Sequence, residues 1–135
     1  MSRKISVSYS SIAGTQAGLG RTSAGRTVIA DRPPGVAGGE GLGFNGAELL
    51  AASLGGCFWN DLHHVSEALG ATVSVRRVEA WVDLAGEPPR IVRAHIAVAL
   101  EGDAAERVFE EARDSSTIAH SLLAAFPIVF ERLGA

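Results

Sequence analysis

Residues 46 to 69, "GAELLAASLGGCFWNDLHHVSEAL", constrain the fold of this chain more than any other segment. Leu50, Leu54, Phe58, Leu62, Val65 and Leu69 recur at spacings of three and four, so on a helix they form one continuous apolar stripe that must face a core. Asn45 with Glu48 three residues later predicts a capping box at the start, and Gly70 supplies the stop. Apolar residues also lie off the stripe, at Leu49, Ala51, Ala52 and Trp59. Burial on more than one side is therefore expected, as for a helix at the centre of a domain or of a dimer.

The rest of the chain arranges itself around that helix. Ile5, Val7 and Tyr9 alternate with polar neighbours, and "GRTVIAD" at 25 to 31 sets β-branched residues between a glycine and a proline pair; both read as strands. Between 32 and 46 lie six glycines and two prolines, a long loop without the spacing or the lysine of a phosphate-binding motif. After the helix, Val73 and Val75 share one parity while Val78, Ala80, Val82 and Leu84 share the other. One extra residue at Arg76-Arg77, a β-bulge, restores the inward face. "AGEPPR" then turns the chain into Val92, Ala94, Ile96, Val98 and Leu100, completing a hairpin. A helix through "DAAERVFEEARDS", capped by Asp103 or a neighbour and with Val108 and Ala112 inward, is followed by a short helix, "STIAHSLLAAF", and a closing strand, "PIVFERL". This order of strands and helices predicts an α+β fold.

A length of 135 residues suits one domain spanning 1–135. A net charge of −3 and a pI near 5.8 give no basic field to collect phosphates, so a nucleic-acid partner is not expected. No window offers the roughly 18 uninterrupted apolar residues of a membrane span, and "MSRKISVSYSSIAG" lacks the apolar run of a secretory signal. A cytoplasmic protein without a membrane partner is the expectation, and a lone cysteine suits a reducing compartment.

That cysteine, Cys57, comes directly after two glycines, each of which weakens a helix by about 1 kcal/mol relative to alanine. Their small size lets another backbone, a second helix or a substrate approach there. From the residues alone, a packed, inert thiol and a nucleophile both remain open. Asp61 lies one turn on, on the same face, and its charge would disfavour a thiolate; His64 lies two turns away, about 10 Å along the axis. The histidines (His63, His64, His95, His120) do not form a convergent ligand set by spacing, so no metal is expected. A thiolate would need a cation, for which Arg21, Arg26 and Arg32 are the candidates.

"GFNGAELLAASLGGCF", residues 43 to 58, resembles the signature segment of the OsmC/Ohr family, and the order of elements around it matches over nearly the whole chain. The resemblance implies an OsmC-like fold, strands with a long central helix in an intertwined homodimer. It also implies thiol-dependent reduction of organic hydroperoxides, without a cofactor, by a cysteine thiolate held by an arginine and a glutamate. Cys57 is then the implied nucleophile and Arg26, ahead of Arg21, the implied arginine. Two departures stand out. Ser116, in "STIAHSL", takes the place of the second, resolving cysteine, and a hydroxyl cannot close a disulfide. The family glutamate's position is Ala47, with Glu48 one place later and better explained as the cap. Two expectations result: a one-cysteine peroxidase that depends on an external thiol reductant, or a non-catalytic dimer that binds an apolar small molecule or senses redox state.

Overall fold

The computed structural model describes residues 1–134. The elements, in chain order, are β1 (Val7–Ser11), β2 (Gly18–Thr22), β3 (Thr27–Ala30), α1 (Gly46–Leu69), β4 (Val73–Ala85), β5 (Arg90–Gly102), α2 (Ala105–Ser115), α3 (Thr117–Leu122) and β6 (Ile128–Arg132). This is an α+β chain, as the sequence predicts, and it forms two compact units, residues 1–49 and residues 50 onward.

In the first unit β1, β2 and β3 form an antiparallel meander. Strand β2 is absent from the sequence-based expectation, because "GLGRT" offers a single large apolar residue. The glycines there answer to the neighbouring strand: a Cβ at Gly20 would lie 2.8 Å from Cε1 of Tyr9, so the Tyr9 ring can lie over β2 only where side chains are missing. The glycine-rich loop after β3 is organised by Asp31, whose nearly inaccessible carboxylate accepts hydrogen bonds from the backbone N–H groups of Arg32 (2.8 Å), Glu40 (3.1 Å) and Leu42 (3.0 Å). The Arg32 guanidinium adds a fourth contact at 3.1 Å. The N–H of Leu42 is the main reason why the Asp31 carboxyl is held below its ordinary pKa of 3.8; the N–H groups of Glu40 and Arg32 and the Arg32 charge act in the same direction, against the desolvation that opposes them.

Helix α1 has the bounds its periodicity predicts. Asn45 Oδ1 accepts from the Glu48 N–H at 2.9 Å while Glu48 Oε1 accepts from the Asn45 N–H at 3.0 Å, a complete capping box. At the other end Gly70 has φ +62°, the Gly70 N–H reaches the Glu67 carbonyl and the Ala71 N–H reaches the Ser66 carbonyl, a Schellman stop.

In the second unit, β5 lies between β4, to which it is antiparallel, and β6, to which it is parallel. The bulge falls at Arg76, where the register shifts between Val75 and Arg77; a second shift, between Asp83 and Leu84, has no counterpart in the sequence pattern. The core is built from Leu54, Phe58 and Leu62 of α1, Ala94, Ile96, Val98 and Leu100 of β5, and Ala105, Val108, Phe109 and Ala112 of α2. Each fully buried Leu, Ile or Phe contributes about 1.5–3 kcal/mol through removal of apolar surface from water. Phe58 sits at its middle, with its ring 6.0 Å from Phe109 in a T-shaped contact and 5.2 Å from Phe130. Val108 and Ala112 point inward as expected, but Asp103 caps nothing: the residue preceding α2 is Ala104 and makes no side-chain cap bond. The short helix also stops at Leu122 rather than continuing through the alanines to Phe126.

The expected burial of α1 on several sides differs from what one chain shows. Trp59 is 40% exposed, and Ala52 and Gly56 are exposed as well. The two glycines therefore separate in role. A Cβ at Gly55 would meet the Cβ of Ala80 at 3.1 Å, so Gly55 lets α1 lie close on β4, whereas Gly56 faces open space.

Candidate functional site

The 3.6-residue period that buries Phe58 turns its neighbour Cys57 to the edge of the core, where the thiol is half-buried. Two polar side chains meet it. One turn along α1, Asp61 Oδ2 lies 3.6 Å from Sγ, and the thiol donates to the carboxylate. From 59 residues away, Ser116 Oγ lies 3.9 Å from Sγ.

Ser116 reaches the sulfur because of how two helices join. It is both the last cap of α2 and the first cap of α3, with extended φ/ψ of −64° and 112°. Its carbonyl accepts the first bond of α3, from the His120 N–H at 2.9 Å. A serine in this position ordinarily turns its hydroxyl onto the helix that it opens. Here it makes no such bond. The side chain is 1% exposed, and among the described residues the Cys57 sulfur is the partner recorded for its hydroxyl. A buried hydroxyl thus faces a thiol across a long contact.

Among the described residues, none of the other candidates is a hydrogen-bond partner of the sulfur. Arg26 is at the β2–β3 turn, where its backbone exchanges bonds with Thr22 and its side chain is exposed, in no ion pair among the described residues. Arg21 is exposed on β2. Arg32 is engaged within the first unit, with Nη2 donating to the Gln16 carbonyl at 2.6 Å and to Asp31, and with a buried Nε that finds no acceptor among the described residues. Glu48 serves the cap, and Ala47 carries no polar group. The histidines are dispersed: His63 and His64 are exposed on α1, His95 stacks on Trp81 with ring centroids 4.7 Å apart, and the His120 ring contacts the Asp114 carbonyl. No group of three His, Cys, Asp or Glu side chains placed to hold a metal ion occurs among the described residues.

Sequence reasoning from the residues alone misses the first unit's main polar cluster. An open cavity of about 530 Å³ there is lined by residues including Tyr9, Gln16, Asp31, Arg32, Phe44 and Asn45. The signal is a lone aspartate ahead of "RPPG", whose N–H donors come from residues up to 11 positions on.

Chemically, the Cys57 arrangement combines an oxidisable sulfur, a proton acceptor and a hydroxyl that can give or take a hydrogen bond. It contains no second thiol.

Comparison with known proteins bears on the family and the fold. A model of the OsmC-like protein family matches residues 38–131. No curated protein matches the sequence. Among solved structures, the chain is similar to an OsmC-like protein of unknown function from Vibrio cholerae, with a TM-score of 0.80 and 13% identity over 98% of this chain and 100% of that one. It is similar also to the organic hydroperoxide resistance protein OhrB of Bacillus subtilis, with a TM-score of 0.70 and 19% identity over 97% and 98% of the two chains. The organic hydroperoxide resistance protein OsmC of Legionella pneumophila gives a TM-score of 0.69 and 18% identity over 98% of each chain. At these identities the likeness is one of fold. With its family segment running from the glycine-rich loop through β6, the chain belongs to the OsmC-like protein family.

Proposed function

We propose that this chain, acting as a single OsmC-like domain within a homodimer, reduces organic hydroperoxides at Cys57 in a one-cysteine cycle. The observation that supports it is the setting of the sulfur: a half-buried thiol beside the fully buried Phe58, on the helix that carries the family segment. In the first step sulfur attacks the peroxide oxygen distal to carbon. The S–O bond forms as the O–O bond breaks, sulfur loses two electrons, and the thiol proton passes to the departing alkoxide, giving an alcohol and a sulfenic acid. An external thiol then displaces water from the sulfenic acid to form a mixed disulfide, and a second equivalent releases Cys57 as a thiol.

The cation proposed for the thiolate is Arg26, with Arg21 next; both have exposed guanidinium groups. The exposed Ala52, Gly56 and Trp59 of α1 support a second copy as the partner. The test is mass spectrometry after one equivalent of cumene hydroperoxide in the presence of dimedone. Trapped sulfenic acid at Cys57, formed faster than with hydrogen peroxide, is the expected result; an unmodified Cys57 refutes the reading.

A second reading rests on the contact between Cys57 and Asp61. A carboxylate that accepts the thiol's hydrogen keeps that hydrogen on sulfur, which favours a dimer that binds an apolar small molecule without turnover. In that case Cys57→Ala leaves ligand binding intact.

A further inference from the structure

Ser116 is 1% exposed, and its hydroxyl foregoes the helix cap open to it and faces a sulfur at 3.9 Å, a long separation for a direct bond. An oxygen singly bonded to that sulfur changes the geometry. With a hydrogen bond of about 2.8 Å to Oγ, the added oxygen closes a triangle on the existing 3.9 Å side without moving either residue. The new S–O–H group is also within reach of Asp61, whose Oδ2 is 3.6 Å from sulfur. The oxidised site keeps the same two partners but meets them through oxygen, at ordinary hydrogen-bond length in place of the long sulfur contacts.

We infer that Ser116 and Asp61 form a cradle for the sulfenic acid of Cys57, holding it as a persistent state until an external low-molecular-weight thiol reacts with it. This deepens the proposed function and rests on it for the identity of the oxidant, but the cradle itself is a property of the three side chains. In the cradle, Ser116 donates to the sulfenic oxygen while the sulfenic O–H donates to the Asp61 carboxylate, a charge-assisted bond. Three routes of loss are disfavoured. The sequence has one cysteine, so no intrachain disulfide can form. Backbone nitrogens near Cys57 lie within a continuous helix, which opposes cyclisation to a sulfenamide. Ionisation to a sulfenate, the form that attacks a second peroxide, would place two negative charges beside each other at Asp61.

The experiment measures lifetime separately from formation. Reduced protein is oxidised in one sample with cumene hydroperoxide and in another with excess hydrogen peroxide, which needs no peroxidase activity. Each peroxide is kept in excess as the two-electron oxidant for any further step, and dimedone is added to portions withdrawn after increasing delays. The wild-type adduct should outlast that of Ser116→Ala and of Asp61→Asn by about fivefold or more, the effect of one hydrogen bond, with the variants moving on to sulfinic acid. Asp61 is only half-buried, so Asp61→Asn answers the question alone should Ser116→Ala fail to fold. Equal lifetimes in the wild type and a folded variant, or no wild-type sulfenic acid with either oxidant, overturn the inference. A long wild-type lifetime combined with slow attack by cumene hydroperoxide would refute the proposed function and leave the cradle standing.

Discussion

Replacing Gly55 by alanine sets two effects of known size against each other. A helix-interior alanine is favoured over glycine by about 1 kcal/mol. The new methyl, however, lies 3.1 Å from the Cβ of Ala80 and 4.0 Å from Cγ1 of Val78. Carbon atoms pack at about 3.5–4.0 Å, so α1 and β4 must separate by roughly half an ångström, and overpacking of this kind costs about 1–3 kcal/mol. The net expectation for Gly55→Ala is a loss of up to about 2 kcal/mol. Gly56→Ala serves as the reference, since it carries the same propensity gain into open space. Denaturant unfolding of both variants cancels the propensity, leaving a difference of about 1–3 kcal/mol in favour of Gly56→Ala. Adding Ala80→Gly to Gly55→Ala removes the opposing methyl and should recover most of that difference in a double-mutant cycle. A Gly55→Ala protein as stable as Gly56→Ala, with no coupling to position 80, refutes the reasoning. A loss in Gly56→Ala that depends on protein concentration would instead report a second copy packed on that face.

Three further outcomes are expected. Ser116→Cys places a second thiol beside Cys57, and one equivalent of organic hydroperoxide should then yield an intrachain disulfide, read as the loss of both free thiols without dimedone trapping. The Asp31 carboxyl is held below its unfolded value, so its stabilisation of the glycine-rich loop is fully present above about pH 3.8 and is lost as pH falls through the lower folded value; amide exchange at Glu40 and Leu42 should quicken in that window, and Asp31→Asn should abolish the dependence. Phe58→Ala empties the centre of the second unit's core and should lower stability by about 3–5 kcal/mol in denaturant unfolding.

Legibility in the sequence divides by the range of the interactions. Helix α1 is legible to the residue because its stripe, capping box and glycine stop all rest on contacts between residues no more than five positions apart. The Arg76 bulge is legible because a change of parity is a local mark, whereas the shift at Asp83 leaves the alternation of β5 unbroken to the eye. Strand β2 is not, since its glycines serve the Tyr9 ring of the neighbouring strand. Asp103 has the chemistry of a cap, but the chain enters α2 at Ala104 without using it. At the candidate site, Asp61 is visible as the residue one turn from Cys57. The approach of Ser116 spans 59 positions, and only the family resemblance suggests it.

Strand β6 is tied to its sheet through β5 by a five-residue parallel ladder, and it is reached only after α2 and α3 have been laid down. Such a segment joins late and lets go early, because its pairing is separated in sequence from the local hairpin contacts of β4 and β5. In native-state hydrogen exchange, the amides of β6 that bond to β5 should open at lower free energy than those of β5 that bond to β4. When β6 leaves, Phe130 leaves with it, and the Phe58 ring loses a neighbour 5.2 Å away, directly beside Cys57 in the chain. The last strand is therefore expected to be the first part of the second unit to open, and the burial of the Phe58 ring next to the sulfur is then limited by the free energy of that opening rather than by the global stability of the fold.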